Sequence, residues 1–206
     1  VCSIGEIKNG DMLILDGDKG MLIVEPDQDT LVEYQERKHE AQKAKQELEV
    51  LRELETVTRD GRKVQLAANI GSPHHTESAL KNGAEGIGLF RTEFLYMEGN
   101  TAPGEEQQFA AYKQVLQAMN DRTVIIRTID IGGDKQLPYL GIGQEANPFL
   151  GYRAIRLCLD QRDLFKTQLR ALYRASVYGD LKIMFPMICS LQELRQAKEI
   201  QEEVKR

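Results

Sequence analysis

An alternation of strand-like and helix-like segments, running from residue 64 to the end of the chain, constrains the fold more than any other feature. Val64-Gln65-Leu66-Ala67-Ala68-Asn69-Ile70 reads as a strand, and a helix around Thr76 to Asn82 is closed by Gly83. Gly86-Ile87-Gly88-Leu89-Phe90-Arg91 reads as the second strand. The next helix is predicted from about Pro103 to Met119: Phe109, Tyr112, Leu116 and Met119 fall on one face, and Pro103 suits its first turn. β-Branched Thr123-Val124-Ile125-Ile126-Arg127 is the third strand. A helical region from Arg153 to Tyr178 ends at Gly179, Leu181 to Ile188 is the fourth strand, and a last helix follows. Four βα units in succession imply an α/β fold with a parallel sheet and right-handed crossovers. The pattern itself leaves open whether the sheet stays open or closes into a barrel, which takes roughly eight units.

The first 54 residues have a different character. Met12-Leu13-Ile14-Leu15 and Met21-Leu22-Ile23-Val24 flank the turn Asp16-Gly17-Asp18-Lys19-Gly20, a β element too small to bury a core alone. It is expected to be the tail of a domain whose body lies upstream. From Asp27 to Leu54 there is no Gly or Pro, and Tyr34, Ala41 and Leu48 recur every seven residues, as do Ala44 and Leu51. This predicts a long charged helix with one narrow apolar stripe, a connector that packs lightly on a neighbour. The chain starts without Met, and its last charged run, Glu202 to Arg206, carries no cap, so an internal fragment is expected.

Composition narrows the function classes. With a formal charge of -5 and no long basic run, no general nucleic-acid surface is expected, which leaves room for a local cationic pocket. No apolar stretch is long enough to span a bilayer, and no secretory signal opens the sequence, so no membrane role is expected. Cys2, Cys158 and Cys189 have neither metal-site nor redox-pair spacing, which suits a reducing cytoplasm.

Chemistry is expected where strands end, because parallel α/β folds place their sites beyond the carboxyl ends of the strands. Arg91 ends the second strand and Arg127 the third; Arg153 follows the loop Asn147-Pro148-Phe149-Leu150-Gly151-Tyr152. Guanidinium forks bind phosphate and carboxylate oxygens bidentately and stay charged, so a small, strongly anionic phosphorylated acid fits. A single strand-end arginine serves more often in a structural ion pair than as a ligand, and two on neighbouring strands bring the two readings about level. Ile131-Gly132-Gly133-Asp134-Lys135 can supply flexible backbone and a further cation or simply form a tight turn, and Asn69 at the first strand's end can offer its amide to a ligand or cap the loop. Glu93 and Asp130 are expected to hold the neighbouring arginines rather than a metal. Cys189 is expected to be a small buried residue, and His39, His74 and His75 to be surface histidines.

At these residues the chain resembles enzyme I of the bacterial phosphotransferase system, the phosphoenolpyruvate-protein phosphotransferase family. The resemblance rests on Ala68-Asn69-Ile70-Gly71, Asn82 to Phe94, Arg127 to Lys135, Asn147 to Arg153 and Met184-Phe185-Pro186-Met187, in the family's order. It implies that residues 1–27 end a swivelling phosphohistidine domain and that 28–57 form a helical linker. Residues 58–206 would then be the first four βα units of a phosphoenolpyruvate-binding (βα)8 TIM-type barrel. It further implies that Arg91 and Arg127 bind the phosphoenolpyruvate phosphate, that Arg153 contacts the phosphoryl group as it transfers, and that Asn69 and Lys135 line the pocket. The implied reaction moves that group to a histidine and on to the carrier protein HPr, with Mg2+, in a cytoplasmic homodimer serving sugar transport. The acceptor histidine would lie before Val1, and the metal carboxylates and catalytic cysteine beyond Arg206. No metal ligand is therefore expected in this chain, and the chain alone is expected to be inactive. Two other readings are a relative of pyruvate phosphate dikinase or phosphoenolpyruvate synthase, and a non-catalytic module that senses phosphoenolpyruvate.

Overall fold

The computed structural model describes residue 5 and residues 7–132, 137–143, 146–147 and 149–206. They form two compact units, Val1–Leu54 and Glu55–Arg206.

In the first unit β1 (Leu13–Asp16) and β2 (Met21–Val24) pair antiparallel, with Leu13 opposite Val24 and Asp16 opposite Met21. Asp16 organises the turn: its Oδ1 accepts from the backbone N–H groups of Asp18 (3.1 Å) and Lys19 (3.0 Å), while its Oδ2 accepts from Arg37 at 3.0 Å. α1 (Gln28–Glu49) starts where Asp27 accepts the Thr30 N–H at 2.8 Å, satisfying one of the donors that a helix start leaves over. The helix buries no residue completely. Its apolar stripe divides: Leu31, Tyr34, Ala41 and Ala44 line a groove with Leu13 and Leu15 of the hairpin, whereas Leu48 and Leu51 are exposed. The helix tightens into a 3₁₀ turn at Val50–Glu53, slightly before the predicted end.

The second unit is a four-stranded parallel sheet in the order β3 (Ala67–Ile70), β4 (Gly86–Arg91), β5 (Val124–Arg127), β6 (Leu181–Met184). Between the strands run α2 (His75–Lys81), α3 (Glu93–Met97), α4 (Glu105–Met119), α5 (Ile155–Asp160) and α6 (Arg162–Ala175), and α7 (Leu191–Lys205) follows β6. The first strand begins later than its sequence suggests, because the Val64 N–H is taken by Thr56 O at 2.9 Å and does not join the ladder. The last strand stops earlier, at Met184, since Pro186 has no N–H to donate and Met187 turns the chain with φ 60°. The single predicted helix from Arg153 to Tyr178 is three pieces, α5, α6 and a 3₁₀ turn. Its break at Gln161 involves neither Gly nor Pro; the Gln161 side chain donates to Leu140 O at 3.1 Å instead.

Strand alternation sets the two faces. Val124 and Ile126 of β5 are buried with Ile87 and Phe90 of β4, against Tyr112, Val115, Leu116 and Met119 of α4 and Leu169 and Leu172 of α6. The Phe90 and Tyr112 rings meet edge to face with centroids 6.0 Å apart. Burying a side chain of this size contributes about 1.5–3 kcal/mol, so this apolar layer holds the sheet and helices together. On the opposite alternation Ala67 and Asn69 of β3 and Lys182 and Met184 of β6 are exposed.

Candidate functional site

The sheet gathers the sequence-predicted arginines at one end. Arg91 is the last residue of β4 and Arg127 the last of β5, and the two are direct partners in the parallel register. Adjacent strands lie about 4.8 Å apart, and paired residues of parallel strands carry their side chains on the same face. Asn69 lies one residue before the end of β3 and is exposed there, beside Leu89 in register.

Arg153 reaches the same rim through a shared carboxylate. Asp130, almost fully buried, forms an ion pair with Arg127 through Oδ2 at 3.1 Å, and accepts from Nε and Nη2 of Arg153 through Oδ1 at 2.9 and 2.8 Å. Arg127 also donates to Oε1 of the fully buried Glu93, the first residue of α3. Glu93 and Asp130 therefore hold the arginines, as the sequence reading expected, because charges this deep persist only when paired. Arg91 is held differently: its guanidinium carbon lies 5.2 Å from the centre of the Phe94 ring. Two charged donors, Nε of Arg91 and Nε of Arg127, are buried without a hydrogen-bond partner among the described residues. Such donors cost about 1–3 kcal/mol each, more when charged, until an acceptor reaches them.

Two glycines set the approach of the loops. A Cβ on Gly132, which has φ 131°, would lie 2.5 Å from the Arg153 Cβ, so only glycine lets the loop after β5 pass this closely beneath Arg153. A Cβ on Gly71 would lie 2.6 Å from the Phe94 ring that carries Arg91. Ala154, directly after Arg153, has φ 54° while fully buried, a backbone state that its packing must enforce. Lys135 falls outside the described residues.

Several residues at the rim carry no obvious sequence signal. Thr92 donates its hydroxyl hydrogen to Arg127 O at 2.9 Å, and Gln168 from α6 contacts both strand ends. Only a residue type that bonds in both directions, placed on the buried face of an amphipathic helix, distinguishes Gln168 in the sequence. Cys189 departs from its expected burial. It is exposed, because the capping box of α7 holds it at the surface, with Glu193 Oε2 accepting from the Cys189 N–H at 2.8 Å and from its thiol at 3.2 Å. Cys158 is the buried thiol, and burial pushes its pKa up. His39, His74 and His75 are exposed. No helix among the described residues is long and apolar enough to cross a membrane.

The family model described as PEP-utilising enzyme, PEP-binding domain, matches residues 45–206. A phosphoenolpyruvate-protein phosphotransferase of Staphylococcus carnosus (strain TM300) is 56% identical over 198 residues, covering 96% of this chain and 35% of the relative. Proteins of the same name from Bacillus sp. (strain S) and Geobacillus stearothermophilus are each 59% identical over 197 residues, covering 95% of this chain and 34% of the relative. The chain thus spans about a third of the length of the curated relatives it matches. With the family model covering most of the chain and the arginines gathered on one rim, the chain belongs to the PEP-utilising enzymes, within their PEP-binding domain.

Proposed function

We propose that this chain is part of a phosphoenolpyruvate-dependent protein phosphotransferase and that its sheet rim grips the phosphoryl end of phosphoenolpyruvate. The observation that carries the reading is the register pairing of Arg91 with Arg127, with Arg153 joined to them through Asp130. Residues 58–206 are read as the first four βα units of a (βα)8 barrel, 28–57 as a helical linker and 1–27 as the tail of a phosphohistidine domain. The exposed face of the sheet, carrying Asn69, Lys182 and Met184, is consistent with a barrel interior.

Phosphoryl transfer passes through a loose transition state with charge spread over the equatorial oxygens, so positioning and cationic stabilisation do most of the work. Arg91 and Arg127, paired in register at the strand ends, are assigned to the phosphate oxygens. Arg153 is assigned to the phosphoryl group during transfer, and Asn69 and Lys135 to the lining of the pocket. Asp130 and Glu93 fix the forks before substrate arrives, which avoids reorganisation at the moment of reaction.

Mg2+, which this reading implies, does not fit the residues at this rim. Glu93 and Asp130 are committed to guanidinium groups, and the described residues contain no group of three His, Cys, Asp or Glu suited to a metal. Its ligands, the acceptor histidine and the catalytic cysteine are assigned to other parts of a longer parent protein, read as a cytoplasmic homodimer that passes the phosphoryl group to HPr in sugar transport. The shared name of the relatives weighs against the dikinase and sensing readings.

The test is phosphoryl transfer from phosphoenolpyruvate to HPr by the full-length protein, compared with Arg91→Ala and with this chain alone. Transfer by the full-length protein, a loss of at least about 100-fold in Arg91→Ala, as for an electrostatic transition-state group, and none by the chain alone are expected. Unchanged transfer in Arg91→Ala would contradict the assignment.

A further inference from the structure

We infer that Gln168 is a positioning residue that locks the two arginine-bearing strand ends to each other; the inference rests on the proposed phosphoenolpyruvate site. Gln168 comes from the middle of α6, far from the rim in sequence, and is fully buried. Its Oε1 accepts the Ile129 N–H at 2.9 Å. Its Nε2 donates to Thr92 Oγ1 at 3.2 Å and to the Tyr112 hydroxyl at 3.1 Å. The amide orientation is fixed by its surroundings, because the Ile129 N–H only donates and so must face the oxygen.

The hydroxyls then have one role each. Thr92 gives its hydrogen to Arg127 O at 2.9 Å and accepts from Gln168. Tyr112 gives its hydrogen to Gln108 Oε1 at 3.0 Å and accepts from Gln168. The result is a closed path from Thr92 to Arg127 O, along the chain to Ile129, and back through Gln168. Thr92 sits between Arg91 and Glu93, and Ile129 sits beside Asp130. One amide therefore ties the segment carrying Arg91 and Glu93 to the segment carrying Arg127 and Asp130. Its action on substrate is indirect: it holds the backbones from which the forks project. A hydrophobic residue of similar size fills the space but breaks all three bonds, leaving the buried Ile129 N–H without its acceptor and the Thr92 and Tyr112 hydroxyls with only the bonds they donate.

The experiment uses the full-length protein with Gln168→Leu, and with Leu172→Ala as a control on the same buried helix face that has no polar link to the rim. Amide hydrogen exchange over residues 127–130 and the KM and kcat for phosphoenolpyruvate are measured at a temperature well below unfolding. Gln168→Leu is expected to speed exchange at 127–130 and raise KM at least fivefold. Leu172→Ala is expected to lower the unfolding temperature while leaving both readouts near wild type. Exchange at 127–130 that is unchanged, or raised equally in both variants, overturns the inference, and this readout holds whatever ligand the rim takes. Absence of phosphotransfer in the wild type would count against the proposed function instead. If Gln168→Leu fails to fold, Thr92→Val cuts the same path from the sheet side, and unaltered exchange and KM there overturn the inference equally.

Discussion

Arg91 and Arg127 are register partners at the carboxyl ends of adjacent parallel strands, yet they are held by different means. Arg127 is clamped by Glu93 and Asp130, whereas Arg91 lies over the Phe94 ring and has no carboxylate partner among the described residues. The pair thus joins a cation clamped by carboxylates to one packed on an aromatic ring. A difference in stability follows. Arg127→Ala removes a guanidinium from the buried Glu93 and one of the two from Asp130, which keeps Arg153, and is expected to cost about 3–5 kcal/mol, while Arg91→Ala is expected to cost less than about 1 kcal/mol. Urea unfolding of the two variants checks this; equal losses would show that the clamp on Arg127 contributes nothing.

The same logic separates Asp130 from the ion pairs on the helix surface. Asp130 joins two arginines at a nearly dry site. Glu105 joins Arg170 and Arg174 across α4 and α6, with both arginines partly in water, where screening and side-chain entropy offset the attraction. Asp130→Ala is expected to lower the unfolding temperature by several degrees and to weaken phosphoenolpyruvate binding. Glu105→Ala is expected to change neither appreciably. Calorimetric unfolding and ligand titration read both.

Gly132 offers a steric test of how the loop after β5 seats Arg153. Gly132→Ala adds a methyl 2.5 Å from the Arg153 Cβ and forces alanine to φ 131°. It is expected to destabilise by more than about 1 kcal/mol and to raise the KM for phosphoenolpyruvate through displacement of Arg153. A variant with unchanged KM would show that the close approach has no bearing on the site.

Alkaline pH should destabilise the protein through its buried tyrosines. Burial raises the pKa of Tyr96 and Tyr112, and Tyr152 is pushed up to about 12, first by burial and then by its bond to Asp160. Unfolded phenols lose their protons near pH 10 while the folded ones keep theirs. Their contribution is therefore complete below about pH 10 and is lost as pH rises through the folded values. The unfolding temperature is expected to fall steeply above pH 10, with phenolate absorbance appearing together with unfolding. Phenolate forming in the folded protein at pH 10, in proportion to all seven tyrosines, would contradict this.

Much of this was readable from residues. Periodicity placed the strands that end in Arg91 and Arg127, because an apolar run bounded by a charge and a turn has few other solutions. The pairing of Glu93 and Asp130 with arginines was suggested by their places just after Arg91 and Arg127 in the sequence. Tertiary effects were not readable. The helix break at Gln161 depends on a bond to Leu140 O, whereas the cap that exposes Cys189 was a local Ser190-x-x-Glu193 signal left unused. Gln168 was overlooked because a single buried amide leaves no periodic trace; its importance lies in three partners distant in sequence.

Whether two forks meet on one anion is read most directly by a double-mutant cycle on phosphoenolpyruvate binding to the full-length protein. Calorimetry would compare wild type, Arg91→Ala, Arg127→Lys, which keeps the charge but loses the fork, and the double variant. A coupling above about 0.5 kcal/mol is expected if both side chains hold the same phosphate. Losses that simply add would place Arg91 and Arg127 on separate ligand groups, against the central claim.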